Sequence, residues 1–377
     1  MLTFHFPDDH QHDHGYQQHD HHPNRIGRRS LLKAGGIGLG GILLGACGST
    51  TTSIASKTTV PAAPATSNAP VATIAETTTA ALPASTLART SVAQATATTS
   101  ASSPSLLAGF DAFAESVKVL AEGDYWLVES NGMPAHNLMV GITNWQQQVP
   151  VPQPYTGSNA WKIPRRPVLA DAPISAKSGL FRGAIALAVN GVPIFNALNN
   201  RGEDSFLIGE LDQWGGHCGR ADDYHYHVAP LHLQSAVGPS RPIAYALDGF
   251  ALYGETEPDG SPVGPLDQLN GHTDASGVYH YHGTKVYPYI NGGMRGKVTV
   301  KDEQIDPQAA TKPFRPAGAP LRGAAITGFA SPTKNSYELD FTVSGAPAHI
   351  AYQISGSSVV FTFTDASGLS RTETYAR

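Results

Sequence analysis

A seventeen-residue pattern occurs twice in this chain and constrains its fold more than any other feature. The first copy reads LDQWGGHCGRADDYHYH at 211–227, and the second reads LDQLNGHTDASGVYHYH at 266–282. The copies align without a gap and share nine of their seventeen residues. Each contains Gly-His, seven further residues and His-Tyr-His. We therefore interpret the pair as an internal duplication of one GH-x7-HYH unit.

The end of each copy alternates Tyr with His, as a strand with two different faces would. His225 and His227 then share one face, with Cα atoms roughly 6.6 Å apart, while the tyrosines point the other way. His217 lies eight residues before His225, across a Gly-containing turn, and can fold back as a third ligand. Three imidazoles with one open position suit a divalent transition metal, with Zn, Cu and Fe not distinguished.

The residues predicted to form the site follow from this alternation. The predicted metal ligands are His217, His225, His227, His272, His280 and His282. The residues predicted to support them are Asp212, Asp267, Tyr224, Tyr226, Tyr279 and Tyr281. The two Asp residues suit either hydrogen-bond acceptors that fix a His tautomer or direct ligands. The two copies could form two mononuclear sites or one dinuclear site.

The same residues also fit a site without metal, because His and Tyr can form a hydrogen-bond network in a polar core. No catalytic residue is assigned. Asp248, within LDGFALYG, is a candidate acid or base, and an Asp-Gly turn explains it equally well.

The N-terminal residues 1–46 are predicted to be a twin-arginine (Tat) lipoprotein signal with a His-rich leader. Arg28 and Arg29 begin the motif RRSLLK, and an apolar run too short to span a membrane ends at Cys47. The residues LLGAC resemble a bacterial lipobox, which predicts lipidation of Cys47. An ordinary Cys47 in a plain Tat signal is the alternative. The expected partners are thus the Tat machinery and a membrane, reached through a lipid anchor.

Residues 47–104 are predicted to be a disordered tether, because Thr, Ala, Ser and Pro leave almost no large apolar side chain to bury. The folded domain is predicted at 105–310, with 311–377 as a C-terminal β segment or small appended sheet. Apolar residues at spacings of three and four predict an N-terminal helix to about Glu122. The 39 Gly and 28 Pro residues and several short β-rich runs predict a mostly β fold of antiparallel sheets, sandwich- or barrel-like.

The segments GGHCGRADDYHYH, LDGFALYG, LDQLNGHTDASGVYHYHG and YPYINGG together resemble the bacterial YHYH-motif domain proteins. The resemblance covers roughly residues 105–300. It implies one domain that contains both copies and an exported setting. It implies no particular metal, substrate or catalytic residue.

The sequence thus predicts an exported domain on the outer side of a membrane, as a periplasmic or cell-surface lipoprotein that binds transition metal. As an enzyme it would be a metal-dependent oxidoreductase or hydrolase. One alternative is a metal-independent module that binds a glycan or another cell-envelope ligand, and a second is a structural or interaction domain. The net charge of −5 argues against a nucleic-acid partner, which would require a basic surface.

Overall fold

The computed structural model describes residues 107–377. Most of the secondary-structure elements in this range are short strands. The predicted signal and tether, with Arg28, Arg29 and Cys47, lie outside the described residues. The strands are β1 (Lys118–Glu122), β2 (Tyr125–Glu129), β3 (Trp161–Pro164), β4 (Leu169–Ser175), β5 (Ala184–Ala188), β6 (Pro193–Phe195), β7 (Gly216–Cys218), β8 (Tyr224–Tyr226), β9 (Ala244–Ala246), β10 (Ala251–Tyr253), β11 (Gly271–Thr273), β12 (Tyr279–His282), β13 (Gly293–Gly296), β14 (Thr299–Lys301), β15 (Gln304–Asp306), β16 (Ala324–Thr333), β17 (Ser336–Val343), β18 (Ala346–Ser355), β19 (Ser358–Thr364) and β20 (Ser370–Ala376). The helices are the 3-10 helices Phe110–Phe113, Gly157–Asn159 and Leu231–Leu233 and one α-helix, α1 (Gln234–Val237).

An eight-stranded sheet with the order β11-β12-β10-β9-β5-β6-β8-β7 contains both copies of the repeat. The order is symmetric about the β5–β9 pair: each half runs from an inner hairpin to an outer hairpin. Within each half the inner and outer hairpins join through a parallel pair, β6 with β8 and β10 with β12, and the other pairs are antiparallel. The β7–β8 and β11–β12 hairpins therefore form the two opposite edges of the sheet.

Small and apolar residues allow the two halves to meet closely at the centre of this sheet. All five residues of β5 are buried. Ala186 pairs with Ala246, and Ala188 pairs with Ala244, so that the central pair is lined by alanines on both strands. Each inner hairpin turns at a Gly with positive φ, Gly191 after β5 and Gly249 after β9.

The other sheets are a three-stranded one (β1-β2-β3), two pairs (β4 with β13, β14 with β15) and a five-stranded meander (β16 to β20). The prediction of a mostly β chain with antiparallel sheets is confirmed, and none of the sheets in the described part is closed. The meander lies within 311–377, the segment that the sequence predicted to be β.

The prediction of a helix to Glu122 is wrong. A 3-10 helix spans only Phe110–Phe113, and the chain then enters β1, which pairs with β2 along its whole length. Phe110 and Val117 are buried, but Leu120 is exposed, because burial follows the sheet and not a helical face. Among residues 107–377, no helix has the length and apolar character needed to cross a membrane.

The segment before the meander is joined to the first copy of the repeat by a buried ion pair. The Arg315 guanidinium donates to both carboxylate oxygens of Asp222, at 2.8 and 2.9 Å. Asp222 lies in the turn between β7 and β8 and also accepts a hydrogen bond from the Val149 amide. Both side chains are at least nine-tenths buried. Arg315 therefore holds the turn that separates His217 from His225.

Replacement of Arg315 by Ala should lower the free energy of unfolding by about 3–5 kcal/mol, because it leaves a buried carboxylate without its counter-charge. Urea denaturation measures this change. The control is Arg182→Ala, since Arg182 forms a long, solvent-exposed pair with Glu303 and its loss should have little effect. Equal, small effects of the two substitutions would contradict the role given to the buried pair.

Candidate metal centres

Both outer hairpins place three histidines around one point. In the first, β7 pairs with β8 so that His217 is directly opposite His225. In the second, β11 pairs with β12 so that His272 is directly opposite His280. The two-residue period of a strand then adds the third histidine of each copy to the same face. The predicted return of the upstream histidine across the turn is what both hairpins show.

The first cluster consists of His217, His225 and His227. The Nε2 atom of His227 lies 3.0 Å from that of His217 and 3.2 Å from that of His225. His225 and His227 are buried, and His217 is half-buried. Three imidazole nitrogens thus converge just below the surface of the domain.

The second cluster consists of His272, His280, His282 and a fourth residue, Glu257. His280 Nε2 lies 3.0 Å from His272 Nε2 and 3.1 Å from His282 Nε2. The Glu257 carboxylate lies 3.1 Å from His272 Nε2 through Oε1 and 3.2 Å from His280 Nε2 through Oε2. The ligand atoms of each cluster all lie within 4.8 Å of one another. Either cluster could hold a metal ion.

The two clusters are separate centres. β8 and β12 are five strand steps apart in the sheet, and the ligand atoms of the two copies form two distinct groups. This separation excludes the dinuclear arrangement that the sequence had left open.

Backbone carbonyls set the proton positions on the buried imidazoles. His227 Nδ1 donates to the Asn196 carbonyl, and His225 Nδ1 lies 3.0 Å from the Asp223 carbonyl. In the second cluster His282 Nδ1 donates to the Gly254 carbonyl at 2.8 Å. Since a carbonyl only accepts, each Nδ1 carries the proton, and Nε2 of the neutral ring is left with its lone pair. All three lone pairs point into the clusters.

Burial opposes protonation of these lone pairs. Desolvation, followed by repulsion from His225, lowers the pKa of His227 to about 3. Burial lowers the pKa of His282, and that of His217 falls well below its usual value, again chiefly through burial. Neutral imidazoles with inward lone pairs are the form in which histidine binds metals.

Residues 160–263 match the family model described as YHYH protein. This match confirms the resemblance to YHYH proteins that the motifs indicated. The match contains the first cluster and Glu257 but ends before His272, so it is narrower than the 105–300 expected from the motifs. No curated protein and no solved structure is significantly similar to the chain.

The predicted supporting tyrosines lie on the face of each hairpin opposite the histidines. Within the YHYH segment, Tyr224 donates to the Asp212 carboxylate at 2.8 Å, and the second copy repeats this bond from Tyr279 to Asp267 at 3.0 Å. The other oxygen of Asp212 accepts from the backbone amides of Trp214, in the loop before β7, and Gly216, the first residue of β7. Asp212 and Asp267 thus fix the loop that carries the Gly-His pair. They reach the histidines only through the backbone, and neither belongs to a group of ligand atoms.

The second tyrosine of each copy bonds to the inner hairpin. The hydroxyl of Tyr226 accepts from Asn190 Nδ2 at 3.0 Å, and that of Tyr281 donates to Asp248 at 2.6 Å. Asp248 is 1% exposed and also accepts from the amides of Gly296 and Phe250. Its hydrogen bonds thus lie on the tyrosine face, away from the second cluster. This placement gives Asp248 a structural partner and no contact with the predicted metal ligands.

Steric crowding explains why Gly precedes the first histidine of each copy. A Cβ at Gly216 would lie 2.4 Å from the Tyr224 hydroxyl, and one at Gly271 would lie 2.2 Å from that of Tyr279. Only Gly lets the tyrosine cross this point and reach its Asp. The shared Gly-His is therefore one unit, in which Gly admits the tyrosine and His enters the cluster.

Two further potential ligand residues near the first copy of the repeat lie outside the clusters. His232 packs edge-on against Trp214 and His136 and does not join the first cluster. Cys218 is buried, and burial raises its pKa well above that of a free thiol. It is not among the ligand atoms that converge there.

Sequence reasoning missed Glu257 because it lies outside the seventeen-residue pattern and because its matched residue in the first half, Asn199, is not a carboxylate. It lies in the loop after β10, nine residues before the second copy of the pattern begins at Leu266. Only the pairing of β10 with β12 brings this loop to the histidines.

The pH dependence of stability should report the buried, neutral imidazoles in chelator-treated protein. Between pH 6.5 and about 3 the unfolded chain binds a proton at His227 that the folded chain does not. The free energy of unfolding should therefore fall as the pH drops below 6.5 and keep its full value above it. His227→Asn, which retains a donor for the Asn196 carbonyl, should make this slope shallower in urea denaturation. An unchanged slope would show that His227 titrates as an exposed histidine.

Proposed function

We propose that the chain binds two transition metal ions, one in each cluster. The observation that carries this proposal is the pair His225 and His227. Both rings give their Nδ1 proton to a carbonyl, yet their Nε2 atoms face each other at 3.2 Å. Two lone pairs cannot bond to each other, and burial disfavours a proton on the His227 ring. A metal cation at this point turns the repulsion into coordination.

The distances support coordination as well as the tautomers do. Two nitrogens bound at 2.0–2.1 Å to one tetrahedral ion are about 3.3–3.4 Å apart. The Nε2 distances of 3.0 to 3.2 Å in both clusters need only small side-chain movements to reach this value. Imidazole ligands suit Zn, Cu or Fe, and Glu257 adds an oxygen ligand that these ions also accept.

The repeat extends beyond the histidine motif, which supports an origin by internal duplication. Residues 185–196 (IALAVNGVPIFN) and 243–254 (IAYALDGFALYG) form the two inner hairpins. Their ends supply the matched carbonyls, Asn196 for His227 and Gly254 for His282. We infer that the duplicated unit is an inner hairpin, a loop and an outer hairpin, and that the metal centre arose with it.

Native protein that has never met a chelator should contain two first-row metal ions per chain, one for each cluster. His225→Ala should remove one ion and His280→Ala the other, with the double variant metal-free. Because bound metal stabilises the folded state, chelation should lower the melting temperature of the native protein and not that of the double variant. Elemental analysis and thermal denaturation provide the measurements.

The matched control is His349→Ala, which removes a half-buried histidine paired with Asp340 in the meander and should leave both ions bound. Well-folded native protein without stoichiometric metal would contradict the proposal. Glycan binding that persists in a chelator would then favour the metal-independent envelope module.

We further propose that the domain is an exported lipoprotein, anchored through Cys47 after Tat transport. The order of Arg28-Arg29, an apolar run and LLGAC supports this location. Tat passengers fold before export, which would let the metal centres load in the cytoplasm.

Cys47→Ala should abolish labelling by radioactive palmitate and shift the protein from the membrane to the soluble fraction in its native host. Arg28→Lys with Arg29→Lys should retain it in the cytoplasm. Cys218→Ala changes the only other cysteine and should leave the labelling intact. Membrane association of the Cys47 variant would contradict the anchor.

A further inference from the structure

The two clusters differ at one matched position. An isolated bridge follows each inner hairpin, Leu198 with Asp204 in the first copy and Thr256 with Pro262 in the second. The residue after the first bridge member is Asn199 in one copy and Glu257 in the other. Glu257 supplies the fourth potential ligand atom of the second cluster, whereas Asn199 does not belong to the first cluster.

Asn199 is directed away from the first cluster by its own hydrogen bonds. Its amide nitrogen donates to Glu203 at 3.1 Å and to the buried Glu210 at 3.3 Å. Its oxygen accepts from the backbone amides of Arg201 and Glu203. The first cluster therefore offers three protein ligands where the second offers four.

The first cluster also borders a cavity of about 390 Å³. All three of its histidines line this cavity, and none of the second cluster's residues does. The charged residues of the lining are Arg182, Arg201, Arg220 and Glu210. A cavity of this size accommodates a small organic molecule next to the ligand nitrogens.

The lining favours an anion. Arg201 is held by Glu203 and Glu210, which offset its charge. Arg182 forms only the long, exposed pair with Glu303, and Arg220 is exposed and forms no ion pair within residues 107–377. With three neutral imidazoles, a divalent ion in the first cluster keeps its full charge, whereas Glu257 would cancel half of it in the second. Arginine also matches carboxylate and phosphate geometry better than other cations do.

We propose a division of labour between the two centres, which rests on the metal binding proposed above. The second centre is closed by Glu257 and stabilises the fold. The first centre is open, and its metal binds the carboxylate or phosphate group of a small anionic molecule that enters the cavity. Three protein ligands with a free position is the arrangement of reactive metal sites, and four is that of structural sites.

Cobalt spectroscopy on single-centre variants tests this proposal, because the visible spectrum of Co²⁺ changes when a ligand is added. His280→Ala leaves only the first centre and His225→Ala only the second. Inorganic phosphate and acetate, titrated separately, should shift the spectrum of the first centre and leave that of the second unchanged, and the more effective probe identifies the preferred group. Glu257→Gln in the His225→Ala background should make the second centre responsive.

Charge variants locate the binding in the cavity. Arg220→Gln should lower the affinity for the anion by roughly two- to fivefold without loss of cobalt, as expected for one exposed charge. Arg166→Gln removes an exposed arginine that does not line the cavity and should have no effect.

The outcomes separate the two proposals. Absence of cobalt from both single-centre variants would overturn metal binding itself. Cobalt bound at both centres, with equal or no response to either anion, would overturn only the division of labour. An unchanged anion affinity in the Arg220→Gln variant would show that the anion does not bind in the cavity.

Discussion

The hydrogen bond from a histidine Nδ1 to a backbone carbonyl is the interaction on which the candidate centres depend. The accepting carbonyls belong to Asn196 and Gly254, at the ends of the inner hairpins. The donors are His227 and His282, at the ends of the outer hairpins. Without this bond an imidazole could turn its protonated nitrogen inward and form an ordinary hydrogen bond. With it, the lone pair is committed to the cluster before any metal arrives.

The tyrosines explain why each imidazole stays in position. A strand of three or four residues has too few backbone hydrogen bonds to be rigid by itself. The hydroxyls of Tyr224 and Tyr279 tie the outer hairpins to Asp212 and Asp267, and these carboxylates hold the loop that leads to the Gly-His pair. The alternation of Tyr and His therefore divides two tasks between the faces of one strand. One face supplies the ligands, and the other supplies the buried hydrogen bonds that orient them.

The sequence predicted the site better than it predicted the path of the chain. Alternation and the repeat were sufficient to select the six histidines, because strand period and hairpin register are local properties. The prediction of an N-terminal helix was wrong because Val117 and Leu120 happen to follow a helical spacing, whereas the pairing of β1 with β2 determines the structure. Glu257 could not be found, since its approach to His272 depends on a parallel pairing between β10 and β12, which no local pattern encodes.

The comparison of the two halves shows how one framework can give unequal centres. Both halves share the carbonyl-bonded histidine, the Tyr–Asp bond and the close approach at Gly216 or Gly271. A single matched position then decides how many ligand atoms each cluster offers. Where it is Glu257, a carboxylate faces three imidazoles. The lone pairs of the imidazoles and the negative charge of the carboxylate together favour a tightly held cation. Where it is Asn199, the amide bonds to Glu210 instead, and the side of the cluster that it would cover faces a cavity. Because the shared bonds fix the histidines in both halves, this position can vary without disturbing the fold, which is what a duplicated unit needs before its copies can take different roles.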